Sequence, residues 1–95
     1  MNDKEMQEIL SKKAAAIKYN QDDEGAPILA AFGQGYSAEK IVSIAKESGV
    51  PVVEDSNAAS MFSKMSIGDE IPPEMYEVVA RILIFVSEVD RKYAI

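Results

Sequence analysis

The sequence predicts an α/β (α+β-like) fold: a small mixed sheet of roughly three to four strands, containing one βαβ unit and surrounded by about four helices. Residues 27–32 are a short apolar run that begins at a proline and is closed by a glycine, as in a buried strand. Residues 38–48 have helical spacing of apolar side chains, and residues 50–54 form a second apolar strand. Because strand, helix and strand follow in that order, the two strands are expected to be parallel with a right-handed crossover.

Length and composition predict one domain and exclude several kinds of site. The chain has 95 residues, with 16 acidic and 10 basic side chains, and its net charge is −6. We expect a single domain over residues 1–95, with an N-terminal helix or extension over 1–12 and a core over 13–93. The absence of Cys and His excludes disulfides, thiol catalysis, a Ser-His-Asp triad and imidazole metal sites. A pI near 4.5 argues against a nucleic-acid partner.

The sequence predicts a cytoplasmic protein without membrane insertion. Its longest apolar run, residues 82–86, is far shorter than the roughly 20 residues that span a bilayer. Residues 1–5 include two acidic side chains and lack the basic and apolar regions of a signal peptide.

Local signals predict the elements before the βαβ unit. Residues 2–12 have helical spacing, with Asn2 or Asp3 as the cap. Residues 14–19 remain open between helix and strand, because alanine favours a helix whereas Ile17 and Tyr19 alternate as in a strand. Asn20 to Gly25 is a polar loop.

Capping residues and prolines predict the remaining boundaries. Ser37 is the expected N-cap of the βαβ helix, and Gly49 its left-handed C-terminal residue. Asn57 is expected to cap a short helix that ends near Met65, and a turn follows at residues 66–69. The last helix begins at residues 72–73, two prolines. Its expected apolar stripe consists of Met75, Val78, Val79, Ile82, Val86 and Val89, and Ala80, Leu83 and Ile84 widen it, so this helix is expected to be covered on more than one side.

Residues 33–38 match the G-x-G-x-x-A pattern of dinucleotide-binding loops. The pattern follows a predicted strand and opens a predicted helix, and Glu54 ends the next strand. In that interpretation Gly33 and Gly35 let a pyrophosphate approach the helix, and Glu54 binds ribose hydroxyls. Alternatively, the glycines only turn the chain and Glu54 is a solvated acid. Nucleotide binding through this loop is therefore a remote alternative.

Acidic side chains also raise the question of a cation site. The candidates are Asp22, Asp23, Glu24, Glu54 and Asp55. They lack the spacing of an EF-hand loop, so we interpret them as solvated surface and predict neither metal nor cofactor.

Several segments in a fixed order carry a family resemblance. They are Ala16-Ile17-Lys18-Tyr19, Ala26-Pro27, residues 41–51, Val52-Val53-Glu54-Asp55, Ile67-Gly68-Asp69-Glu70-Ile71-Pro72 and Met75-Tyr76-Glu77-Val78-Val79-Ala80. Together they resemble the cytoplasmic domain of the type III secretion export switch proteins, the FlhB/YscU/EscU family. The resemblance covers residues 13–88 and implies a small sheet surrounded by helices.

Members of that family cleave themselves at an Asn-Pro-Thr-His motif, where the asparagine side-chain amide attacks its own backbone carbonyl. In this sequence the place of the motif is taken by Ile9-Leu10-Ser11-Lys12. Ile9 has no amide nucleophile, and Leu10 stands where the proline would be. The resemblance therefore implies a free-standing homologue that does not cleave itself and is not an enzyme.

The resemblance also implies a binding site for export substrates. Family members recognise these substrates through a small apolar patch beside an Ala-Pro pair. The corresponding positions here are Ala26, Pro27, Ala80 and Leu83. Small residues leave a shallow groove and proline removes a backbone donor, as a short apolar peptide requires. The alternative is that all four are ordinary core residues.

We therefore hold two main interpretations of function. In the first, the chain binds export substrates or export-apparatus components through the apolar patch, without catalysis. In the second, it is a structural accessory subunit of the export gate that binds no substrate.

Overall fold

The computed structural model describes residues 2–19 and 26–81 of the chain. Within these residues the fold belongs to the predicted α/β class. Its regular elements are helix α1 (Asp3–Leu10), strands β1 (Lys13–Lys18) and β2 (Ile28–Gln34), helix α2 (Tyr36–Ser48), strand β3 (Val52–Val53), helix α3 (Ser56–Ala59), and helix α4 over residues 76–81. Single 3-10 turns cover Ser60–Phe62 and Pro73–Met75.

The sheet has the strand order β2-β1-β3, and both neighbouring pairs are antiparallel. Strands β2 and β3 consequently run in the same direction, as the βαβ prediction requires. They are not neighbours, however, because β1 lies between them and bonds to both. The predicted mixed sheet is thus antiparallel at each described strand pair.

A further segment extends the sheet beyond β2. Ile28 pairs with Glu70 in an isolated antiparallel bridge. The Leu29 amide donates to the Asp69 carbonyl at 3.0 Å, and the Ile71 amide donates to the Pro27 carbonyl at 2.8 Å. The outer edge of β2 near Pro27 is therefore covered by residues 68–71.

Residues 14–19, for which the sequence did not decide between helix and strand, lie mostly in strand β1. This strand is buried on both faces. Its residues Ala14, Ala15, Ala16 and Ile17 are at most 6% exposed. Successive side chains of a strand point to opposite faces. Ala15 and Ile17 belong to the main core, and α2 packs against β1 and β2. Burial between two layers therefore outweighs the helical preference of alanine.

The main core lies on the face of the sheet that carries α3, α4 and the 3-10 turn between them. It consists of Ala15, Ile17, Leu29, Val53, Ala59, Phe62, Ile71 and Val79. Phe62 and Val79 are almost completely buried, so they fix the 3-10 turn and α4 against the strands. At about 0.8 kcal/mol per buried CH₂, this cluster is the main source of stability.

For α2, the predicted C-terminal end is confirmed and the predicted N-cap is wrong. Gly49 is left-handed at φ 69°, and the Val50 amide donates to the Ala45 carbonyl at 2.8 Å, which closes the helix as predicted. The predicted N-cap Ser37 is wrong, because α2 begins at Tyr36 and Gly35 occupies the cap position. Gly35 has φ 68°, a conformation that glycine adopts without strain.

The predicted cap of α3 is also displaced. Asp55, not Asn57, is the N-cap, and its carboxylate accepts from the amides of Asn57 at 2.9 Å and Ala58 at 3.4 Å. Three consecutive residues, Asp55, Ser56 and Asn57, have side chains that can cap a helix, and Asp55 is the one that directly precedes the first helical residue.

Two other local predictions are confirmed. The Asn2 side chain accepts from the Glu5 amide at 2.8 Å, and none of the residues of α1 is buried. The turn at residues 66–69 is closed by the Asp69 carboxylate, which accepts from the Ser66 amide at 2.9 Å. The polar loop Asn20 to Gly25 and the helical stripe beyond Arg81 lie outside the described residues.

None of the helices in the described part of the chain combines the length and the apolar character needed to cross a membrane.

Candidate functional site

The first half of the predicted site lies where the chain enters β2. Pro27 is buried and Ala26 is partly buried. The Pro27 carbonyl accepts from the Ile71 amide at 2.8 Å, which joins the Ala-Pro pair to the segment that covers the sheet edge. Since proline carries no amide hydrogen, Pro27 adds no donor to this edge.

The second half lies on α4. Val79 is 1% exposed and belongs to the core, whereas the next residue, Ala80, is exposed. Tyr76 is 40% exposed and precedes Ala80 by four positions. Residues four apart share a helix face, so Tyr76 and Ala80 form an apolar strip on α4. Sequence reasoning did not select Tyr76, although its spacing from Ala80 is the signal that identifies it.

The Ala-Pro pair and the strip on α4 are both attached to the same cluster of core residues. Ile71 bonds to Pro27 through the backbone and packs in the same cluster as Leu29 and Val79. The positions of Ala26, Pro27 and Ala80 are thus fixed by neighbours that are buried together. Leu83, the fourth predicted residue, lies outside the described residues.

In the G-x-G-x-x-A loop, local structure accounts for both glycines: Gly33 by close packing, and Gly35 by its positive φ of 68°. A β-carbon at Gly33 would lie 2.6 Å from Cδ1 of Ile41, so the glycine permits close packing of α2 on β2. The Gly35 amide donates to the Lys12 carbonyl at 2.8 Å. The chain itself therefore uses one of the amides at the start of α2 that a phosphate could bind.

A shallow cleft of about 360 Å³ lies between the start of β1, the first turns of α2 and Glu54. It is lined by Lys12, Lys13, Ala14, Ala38, Glu39, Val42 and Glu54. The Lys12 ammonium lies 3.0 Å from the Glu39 carboxylate, and Lys46 lies 3.2 Å from Glu54. Three of the four charged side chains that line the cleft, Lys12, Glu39 and Glu54, are therefore already paired, Lys13 is the fourth, and both ion pairs are exposed.

Two of the five acidic residues considered as cation ligands, Glu54 and Asp55, have other partners. Glu54 pairs with Lys46, and Asp55 caps α3. Asp22, Asp23 and Glu24 lie outside the described residues. Within the described ranges, the side chains form no group of three ligands suited to a metal ion.

Comparison with known proteins identifies the family. Residues 11–86 match the model of the FlhB HrpN YscU SpaS family. The chain is 35% identical over 79 residues to the uncharacterized protein YlqH of Bacillus subtilis (strain 168), covering 83% of this chain and 85% of YlqH.

Two relatives of known systems are much longer than this chain. The flagellar biosynthetic protein FlhB of Aquifex aeolicus is 39% identical over 74 residues, which cover 77% of this chain and 21% of that protein. The secretion system apparatus protein SsaU of Salmonella typhimurium is 35% identical over 78 residues, covering 81% of this chain and 22% of SsaU. The chain thus spans about a fifth of these two relatives.

The family match covers most of the chain and includes Ala26, Pro27, Ala80 and Leu83. It confirms the resemblance drawn from the sequence segments. The chain is therefore a member of the FlhB HrpN YscU SpaS family of type III export proteins.

Proposed function

We propose that this chain is a non-catalytic, non-cleaving member of its family that binds export substrates or export-apparatus components through Ala26, Pro27, Ala80 and Leu83. Family membership supports a role in type III export. The proposed place of action is the cytoplasm, where the corresponding domain of the family is expected.

The observation that carries the proposal is the exposed strip of Tyr76 and Ala80 beside a buried Val79. Core packing explains Val79, but it does not explain an exposed alanine and tyrosine on one face of α4. The small Ala80 side chain leaves room for an apolar group of a peptide, and the Tyr76 ring supplies contact area. The buried contacts of Val79 hold this face in place, which limits the entropy that binding must overcome.

Local structure also supports the absence of self-cleavage. Residues Ile9 and Leu10 lie at the end of α1, and the Lys12 amide donates to the Ile9 carbonyl at 3.1 Å. The Ser11 amide donates to the Gln7 carbonyl at 3.0 Å. This backbone is hydrogen-bonded as a regular helix end, and Ile9 has no side-chain amide to attack its carbonyl.

The test is an NMR amide-shift titration of the whole chain with N-terminal peptides of the host's exported flagellar proteins. We expect weak, saturable shifts concentrated at Ala26, Tyr76 and Ala80, because a shallow patch buries little area. The variant Ala80→Asp should abolish these shifts by placing a charge in the apolar strip. Ser43→Asp, at an exposed position of α2 on the other side of the sheet, is the matched control.

Unchanged binding by a folded Ala80→Asp variant would overturn the proposal. Shifts that concentrate on α2 would place the binding surface elsewhere and overturn it as well. If peptides cause no shift but export-apparatus components retain the wild-type chain and the Ala80→Asp variant equally in a pull-down, the structural accessory role replaces binding through the patch.

A further inference from the structure

We draw no further inference here: the strongest candidate, the surface patch of Met6 and Leu10 on α1 with Tyr36 at the start of α2, is an exposed apolar face, and nothing in the structure shows what covers it.

Discussion

Gly33 of β2 lies so close to Ile41 of α2 that a β-carbon at position 33 would be 2.6 Å from the Ile41 Cδ1 atom. The carbonyl carbon and β-carbon of Ser37 would each lie 3.0 Å away. Strand and helix are therefore closely packed at this point, and a β-carbon would fit only if the end of the Ile41 side chain moved and Ser37 shifted by a few tenths of an ångström.

Gly33→Ala should lower the free energy of unfolding by about 1–3 kcal/mol, because an added methyl group in a packed site forces neighbours to shift. Urea unfolding followed by circular dichroism measures the loss. Ser43→Ala, at an exposed position of the same helix, should change stability by less than about 0.5 kcal/mol.

Ile41→Val provides the specific check, since it removes the Cδ1 atom that a methyl group at position 33 would meet. The double variant Gly33→Ala/Ile41→Val should lose less stability than the sum of the single losses. Additive losses would show that the Ile41 contact does not cause the penalty at Gly33.

The Gly35 amide leads to a second prediction, on nucleotide binding. Because this amide donates to the Lys12 carbonyl at 2.8 Å, a phosphate would have to break an existing hydrogen bond. Millimolar NAD or ATP should therefore leave the melting temperature unchanged relative to sodium phosphate of equal ionic strength. A saturable rise specific to either nucleotide would contradict this and restore the dinucleotide interpretation of residues 33–38.

Residues that terminate helices made parts of this fold predictable. Gly49 adopts the left-handed conformation and is followed by apolar Val50 and by Pro51, which cannot continue a helix; α2 ends at this position in the structure as predicted. The caps of α2 and α3 were less predictable, because the start of each helix offers more than one capping residue within a few positions. Only the tertiary position of the preceding strand decides between Asp55 and Asn57.

The order of the strands could not be derived from local pattern. Periodicity places β2, α2 and β3 in sequence, but it gives no sign that β1 enters between the two strands. That arrangement depends on small side chains at Ala14 and Ala16, which let α2 pack against a central strand. A run of alanines shows no alternation of apolar and polar side chains, so the sequence pattern does not predict a strand. The strand is recognised only from the burial of the run on both faces.

The candidate site was predictable only through the family resemblance. Nothing in the spacing of Ala26 and Pro27 from Ala80 indicates that they share a surface. In the structure Ile71 bonds to Pro27 through the backbone and belongs to the same core cluster as Val79, the neighbour of Ala80, and a shared binding surface remains the proposal. Tyr76 was not selected as a site residue because it entered the sequence analysis only as part of the family resemblance, outside the predicted apolar stripe; it is 40% exposed.

The cap of α3 yields a third prediction. Asp55→Ala should lower the free energy of unfolding by about 1 kcal/mol, because the amides of Asn57 and Ala58 lose their acceptor. Asn57→Ala, two residues later, should have a much smaller effect because the side chain of Asn57 is not the cap. Urea unfolding of both variants measures the difference. A larger loss for Asn57→Ala would show that the sequence-based cap is the correct one.

The fourth prediction concerns chain integrity. During prolonged incubation at neutral pH, the chain should keep a single intact mass near 10.4 kDa. Ile9 provides no amide nucleophile, and the Lys12 amide holds the Ile9 carbonyl in a regular helix end at 3.1 Å. Mass spectrometry is the measurement, with a family member that retains Asn-Pro-Thr-His as the positive control. Two fragments divided between residues 9 and 12 would contradict the prediction and require a different nucleophile at this turn.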